Sequence, residues 1–194
     1  MIVLKLGGSL LSKNALLPFL ELASQDGKGQ VIIVPGGGVF ADQVRLTQKQ
    51  WQYNDQTAHY MAILAMQQMA LLFQGLCPEL LVVNKVAAIL PNMQPQNAVI
   101  WSPLASELDA AEIPANWDIT SDTLAAWLAV ELSIDHLTLV KSCELLGNST
   151  VEQLSALGII DHSFTNFVDN QSLTVDCISH QQISTLATRL KKHV

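Results

Sequence analysis

Met1-Ile2-Val3-Leu4-Lys5-Leu6-Gly7-Gly8-Ser9 opens the chain, and the reading of the rest follows from it. An apolar run broken by one lysine and closed by two glycines and a serine predicts a buried strand, a tight turn and then a helix. Such a turn suits phosphate. Glycines without Cβ let the backbone approach an anion, a helix start offers free N–H groups, and Lys5 supplies a compact charge. The plainer alternative is a first strand whose lysine snorkels to the surface. The pattern then recurs: Gln30-Val31-Ile32-Ile33-Val34 runs into Pro35-Gly36-Gly37-Gly38. Between the two, Ala15, Leu16, Phe19, Leu20 and Ala23 keep helical spacing, with Asn14 as the expected cap. Strand, helix and strand in that order imply a right-handed crossover and a parallel pair. Both glycine turns should therefore lie beyond the carboxyl ends of neighbouring strands, where α/β proteins bind ligands. Neither turn fits the Walker or GxGxxG patterns, and three consecutive glycines exceed what a structural turn requires.

Further along, Leu80 to Val83, Ala98 to Trp101, Leu137 to Lys141 and Leu173 to Cys177 read as strands, the last at an edge. Helices are expected at Val39 to Gln50, Ala58 to Phe73, Thr123 to Leu132 and Ile183 to Leu190. The helix at Ala58 to Phe73, preceded by a polar break at Asn54 to Thr57, is apolar on nearly every face. It is either buried all round or part of a subunit interface; its methionines read as core filler and His59 as a core histidine. The stretch from Pro91 to Gln96 reads as irregular, Ser102 to Trp117 as a loop-rich excursion over the site, and Asp161 and His162 as loop residues.

The 194 residues suit one domain spanning 1–194, and no apolar run reaches the length of about 20 residues that crosses a bilayer. Met1 begins a strand directly, so a cytoplasmic protein without a signal segment is expected. A net charge of -7 argues against sequence-independent nucleic-acid binding. Cys77, Cys143 and Cys177 have no metal-like spacing and read as reduced thiols. Lys5, Lys85 and Lys141 each stand in or after an apolar strand run, where burial demands an anion or carboxylate partner. Thr120-Ser121-Asp122 before a helix could be a cap alone, yet with Asp118 it holds more carboxylates and hydroxyls than a cap needs. Two loops holding two reactants, lysines neutralising charge and Asp122 orienting them would serve phosphoryl transfer, which needs positioning and charge stabilisation more than covalent help. No Ser-His-Asp or Cys-His arrangement with convincing context accompanies them.

Taken together, Lys5-Leu6-Gly7-Gly8-Ser9, Pro35-Gly36-Gly37-Gly38, Thr120-Ser121-Asp122 and Lys141 resemble the amino acid kinase superfamily from residue 1 to about 170. The resemblance implies a three-layer αβα sandwich around a mainly parallel sheet, ATP with Mg2+ as donor and a small acid or phosphate as acceptor. It implies that Lys5, Asp122 and Lys141 are catalytic, that Gly7, Gly8, Ser9, Thr120 and Ser121 hold the nucleotide with the two lysines, and that Gly36, Gly37 and Gly38 hold the acceptor. Ser142-Cys143-Glu144-Leu145 departs from the Asp-Gly motif many relatives carry there. Gly38 to Arg45 with Asp42, then Asp55, His59, Met61 to Met66 and Trp117-Asp118 look closest to a branch that phosphorylates an aminomethyl furan-methanol phosphate in methanofuran synthesis. Asp42, Asp55, His59 and Asp118 would then contact the acceptor. Asp118 replaces the asparagine of acetylglutamate kinases, and its charge would favour an ammonium over a carboxylate. A homo-oligomer is expected by the same likeness, and a non-catalytic metabolite-binding subunit of the same fold is the alternative reading.

Overall fold

In a computed structural model, which describes residues 1–145, 150–169 and 171–192, six strands form one parallel sheet. They are β1 (Ile2–Leu6), β2 (Val31–Pro35), β3 (Leu81–Val83), β4 (Val99–Trp101), β5 (His136–Lys141) and β6 (Thr174–Ser179), in the order β3-β4-β2-β1-β5-β6. Every expected strand is present and every pair is parallel. β1 sits at the centre, with β2 on one side, in register Lys5 to Val34, and β5 on the other. The chain moves one way from β1 to β2 and crosses back to reach β5. The carboxyl edge around β1 is therefore the switch point where such sheets open a crevice.

The helices are α1 (Leu17–Gln25), α2 (Gly38–Trp51), α3 (Asp55–Leu76), α4 (Val86–Asn92), α5 (Ala105–Ala110), α6 (Ser121–Glu131), α7 (Val151–Ala156), α8 (His162–Val168) and α9 (Ile183–Lys192). They cover both faces of the sheet, and the alternation of strand side chains divides two cores. Val3, Ile32, Val34, Leu137 and Leu139 pack with Leu124, Ala125 and Leu128 of α6 and Ile63 and Met66 of α3. Ile2, Leu4, Leu6, Val31, Ile33 and Val140 pack on the opposite face with Phe19 and Leu20 of α1, Met69 and Phe73 of α3 and Leu186 of α9. This parity places the lysines: residue 5 shares the face of residue 3, and residue 141 that of 137 and 139. Both lysines meet α6.

Several boundaries differ from the sequence expectation. Asn14 does not cap α1: it has φ +53°, and the helix begins at Leu17 with Pro18 in its first turn, where a missing N–H costs nothing. The polar break at Asn54 to Thr57 is a helix start, because the Asn54 side chain accepts from Thr57 N at 2.8 Å and α3 runs on for 22 residues. Pro91 lies inside α4, and α5 forms within the expected excursion at Ser102 to Trp117. His162 begins α8 instead of lying in a loop, and Asp161, in the loop ahead of it, is the amino-terminal cap of that helix. Lys85 is exposed at the start of α4, away from the other two lysines. The first of the two fates expected for α3 does not hold in the single chain, since Met61, Leu64, Leu71 and Leu76 are exposed.

Candidate active site

The two glycine turns cross each other at the carboxyl edge. A Cβ on Gly8 would stand 2.2 Å from both Cα and N of Gly38, and one on Gly36 would stand 2.7 Å from Gly8 N. Gly38 also has φ +55°, which glycine adopts without strain, and a Cβ there would press on the Met69 sulfur at 2.9 Å. One on Gly37 would meet the Ala41 Cβ at 2.5 Å. Each glycine of the triple is thus required for its own reason: Gly36 where the first loop passes backbone against backbone, Gly37 against Ala41 of α2, and Gly38 for its positive φ and its approach to Met69. Gly8–Leu10 forms a single 3₁₀ turn after Gly7, and the Ser142 hydroxyl lies 2.8 Å from the Ser9 hydroxyl, tying the first loop to the end of β5.

Beneath the loops lies a buried ion triad. Lys5 Nζ is 2.8 Å from Asp122 Oδ1, and Lys141 Nζ donates to Asp122 Oδ2 at 2.6 Å. Asp122 is 4 % exposed and Lys5 5 %. Burial alone would push the Asp122 carboxyl upward, but the charges and hydrogen bonds of Lys5 and Lys141 outweigh it and hold it below the ordinary carboxylate value. Burial, with Lys141 beside it, pushes the Lys5 ammonium below the usual lysine value, against the pull of Asp122. Two ammonium groups share one carboxylate, so the triad carries a net positive charge at the base of a cavity of about 590 Å³.

The cavity wall brings together most of the residues the sequence nominates: Lys5, Gly7, Gly8 and Ser9 from the first loop, Gly36, Gly37 and Gly38 from the second, and Asp42, His59, Thr120, Ser121, Asp122 and Lys141. Asp55 and Asp118 are not part of it. Asp55 is exposed and accepts from Gln48 Nε2 at 2.8 Å. Asp118 turns to solvent between Trp117 and Ile119, which do line the cavity. The charge selection built on Asp118 loses its geometric support. The His59 ring is buried, with Nδ1 3.3 Å from the Asn116 carbonyl oxygen and Nε2 without a partner. A carbonyl can only accept, so Nδ1 carries the hydrogen and Nε2 keeps a lone pair. Burial pushes the His59 pKa below its ordinary value, opposed by Asn116 and Asp109, which favours that neutral ring.

Two charged lining residues, Arg45 and Asp161, are not among those the sequence nominates. Arg45 lies with its guanidinium 4.3 Å from the centre of the Trp117 ring, so the arginine and the aromatic fix each other beside the second loop. The spacing of Asp42 and Arg45 on one helix gave a hint of the cation, but nothing in the sequence pairs residue 45 with 117. Asp161 closes the far side, accepting from Thr120 and Thr123 of α6.

Residues 1–144 match the amino acid kinase family. The chain belongs to that family. Among solved structures, the uridylate kinase from Archaeoglobus fulgidus superposes with a TM-score of 0.71 at 18 % identity, covering 96 % of this chain and 95 % of that one. The UMP kinase from Bacillus anthracis gives 0.70 at 14 % identity over 98 % and 91 %, and an isopentenyl phosphate kinase 0.66 at 11 % over 98 % and 96 %. No curated protein matches the sequence. The shared architecture is this family's fold, a parallel sheet between helical layers, and membership supports a phosphotransferase acting on a small molecule. Among the described residues, no helix is long and apolar enough to cross a membrane.

The donor set bears on the metal such kinases employ. Both Asp122 oxygens are taken by lysines, and no group of three or more His, Cys, Asp or Glu side chains among the described residues is placed to hold a metal ion. A magnesium cage built from protein carboxylates does not fit this site. A magnesium ion would have to bring most of its ligands with it, from substrate phosphates and water, in keeping with its reluctance to dehydrate.

Proposed function

We propose that the protein is an ATP-dependent kinase that transfers the γ-phosphoryl group to the phosphate of a small molecule. The observation that carries this reading is the Lys5–Asp122–Lys141 triad buried directly under two crossed glycine loops. Phosphoryl transfer spreads negative charge over the moving group, and preorganised cations in a water-poor site stabilise it most effectively. Lys5 and Lys141, held on adjacent strands by one carboxylate, would neutralise that charge. Asp122 would neither accept a proton nor bind metal; it keeps both ammonium groups aimed and charged. Gly7, Gly8, Ser9, Thr120 and Ser121 line the nucleotide side in this reading, and Gly36, Gly37 and Gly38 the acceptor side, with magnesium arriving on the phosphates.

The acceptor side supports a phosphate with a hydrogen-bond donor elsewhere on the molecule. Arg45, stacked on Trp117, offers a fixed guanidinium suited to phosphate oxygens. His59 lines the cavity and its buried Nε2 keeps an unpartnered lone pair; an amine or hydroxyl that reached it would satisfy it, and a phosphate oxygen would not. An aminomethyl furan-methanol phosphate, the acceptor of the branch this sequence resembles, meets both requirements. Acceptor-dependent ADP release, assayed with ATP, magnesium and a panel of small phosphates with and without an amine, tests the reading. Lys5→Ala should lower kcat by about 100-fold or more, since the lysine acts on the transition state; an unchanged kcat removes Lys5 from the mechanism. Tight ATP binding with no turnover across the panel would favour a non-catalytic metabolite-binding subunit instead, the reading that Ser142-Cys143-Glu144 beside the cavity supports.

A further inference from the structure

We infer that Asp161 is a positioning residue for the transfer: its carboxylate locks the start of α6 to the start of α8 and so holds Asp122 between the two lysines. The inference rests on the kinase reading above but uses a residue that plays no part in it.

One Asp161 oxygen, Oδ2, accepts from Thr120 N at 3.1 Å, Thr120 Oγ1 at 2.7 Å and Thr123 N at 3.3 Å. The other, Oδ1, accepts from Thr123 Oγ1 at 2.6 Å and Phe164 N at 2.7 Å. Five donors from two helix starts converge on one side chain. An ordinary cap satisfies one or two N–H groups of its own helix. Here the carboxylate caps α8 locally and also fills the amino terminus of α6, some forty residues earlier in sequence, where two helix dipoles favour its charge. Thr120 is committed on both sides, since its hydroxyl donates to Asp161 and accepts from Asp122 N at 3.3 Å. The backbone that carries Asp122 is therefore fixed by Asp161 on one side, while the Asp122 side chain is fixed by Lys5 and Lys141 on the other.

The tie has an electrostatic side. The groups that face Lys5 are Asp122 of α6, Lys141 of β5, Asp161 ahead of α8, and the thiol of Cys177 on β6, which burial keeps neutral by pushing its pKa up to about 11. Asp161 is the second negative charge near two positive ones, and it favours the charged form of Lys5. A cap that merely stabilised α8 would leave the chemistry of Lys5 untouched.

The test compares Asp161→Ala, Asp161→Asn and Thr150→Ala. Thr150 caps α7 with a reciprocal Thr150–Gln153 pair and is not part of the cavity wall, so its loss controls for capping as such. Asp161→Ala should lower kcat at least tenfold while KM for either substrate changes less than threefold. Asp161→Asn should recover part of that loss, because its amide oxygen still accepts from Thr120 N and Thr123 N. Thr150→Ala should keep kcat within twofold of the wild type. Independently of turnover, the Lys5 side chain followed by 13C and 15N NMR should titrate at lower pH in Asp161→Asn than in the wild type. Equal falls in thermal midpoint for Asp161→Ala and Thr150→Ala with kcat retained in both would overturn the inference. So would a wild-type kcat in Asp161→Asn, which loses part of the hydrogen bonding and carries the test if Asp161→Ala does not fold. A wild type that turns over no acceptor defeats the kinase reading instead, and a Lys5 titration unmoved in Asp161→Ala would then overturn the role of Asp161.

Discussion

Gly8→Ala probes the feature on which the site geometry depends. The added methyl would stand 2.2 Å from Gly38 Cα and N, where ordinary contact begins at 3.4 Å. Both atoms belong to backbone, and Gly38 is itself backed by the buried Met69, so no flexible side chain can yield. The loops must part by more than about 1 Å, and a displacement of that size between reactants costs on the order of 100-fold in rate. Forced overpacking costs about 1 to 3 kcal/mol, and in a chain of this length each kcal/mol moves the thermal midpoint by about 2 to 4 °C. The expected result is a loss of kcat of roughly two orders of magnitude, far larger than the fraction of protein unfolded at 25 °C accounts for. Gly75→Ala is the matched control: a Cβ there meets nothing within 4 Å, in the last turn of α3. It should stabilise by about 0.5 to 1 kcal/mol and leave kcat unchanged. Steady-state kinetics beside a thermal melt of both variants makes the comparison. Wild-type kcat and melting in Gly8→Ala would mean that the two loops do not interlock, and the account of the triple glycine would fall with them.

The remaining expectations concern charge, specificity and assembly. The Asp122 pKa is below its unfolded value of 3.8, so the unfolded chain takes a proton first as pH falls. Its contribution to stability is present above that value and is lost on further acidification through the folded pKa; Asp122→Asn should flatten this acid limb in melts from pH 5 to 2 while lowering stability at pH 7. His59→Phe removes the Nε2 lone pair and should raise KM for an amine- or hydroxyl-bearing phosphate about tenfold with little change in kcat. Asp118→Asn should shift the same KM less than threefold, since water screens a carboxylate outside the cavity; a larger effect for Asp118 than for His59 would reverse the assignment. The exposed Met61, Leu64 and Leu71 repeat at helical spacing on α3, and we expect them to meet a second copy. Light scattering should give a mass above 21.1 kDa that Leu64→Glu reduces, and a wild-type monomer at micromolar concentration would contradict it.

How much of this was legible beforehand follows the range of the interactions. The sheet was readable because its strands are nearly continuous apolar runs, the mark of parallel strands buried on both faces. The glycine turns and Lys5, Asp122 and Lys141 were readable because each sits at the end of such a run, where the crossover rule fixes the edge. Caps were less legible: Asn14 and Asn54 are the same residue type before similar patterns, and Pro18 decides against the first while Thr57 decides for the second. Asp118 shows the limit of reading by position, since its neighbours at 117 and 119 face the cavity and it does not. Arg45 on Trp117 and Asp161 on Thr120 and Thr123 were hidden for a simpler reason. Their partners are 72 and some forty positions away in different elements, and no local period reports such a contact.

The triple glycine and the ion triad are two answers to one physical problem. A site that neutralises the charge of a moving phosphoryl group must keep positive charge out of water before the substrate arrives, and buried charge is destabilising unless partnered. One carboxylate between two lysines stops short of full compensation, and burial, with Lys141 beside it, lowers the Lys5 pKa against the pull of Asp122. Adding a second carboxylate inside the triad would stabilise the empty protein and weaken its hold on phosphate. The chain instead sets its second acid, Asp161, against the helix starts on the far wall of the cavity, where it supports the charge of Lys5 without joining the triad. Crossed glycine loops complete the arrangement, because only backbone without Cβ can lie over the lysines closely enough to exclude water and still admit phosphate oxygens.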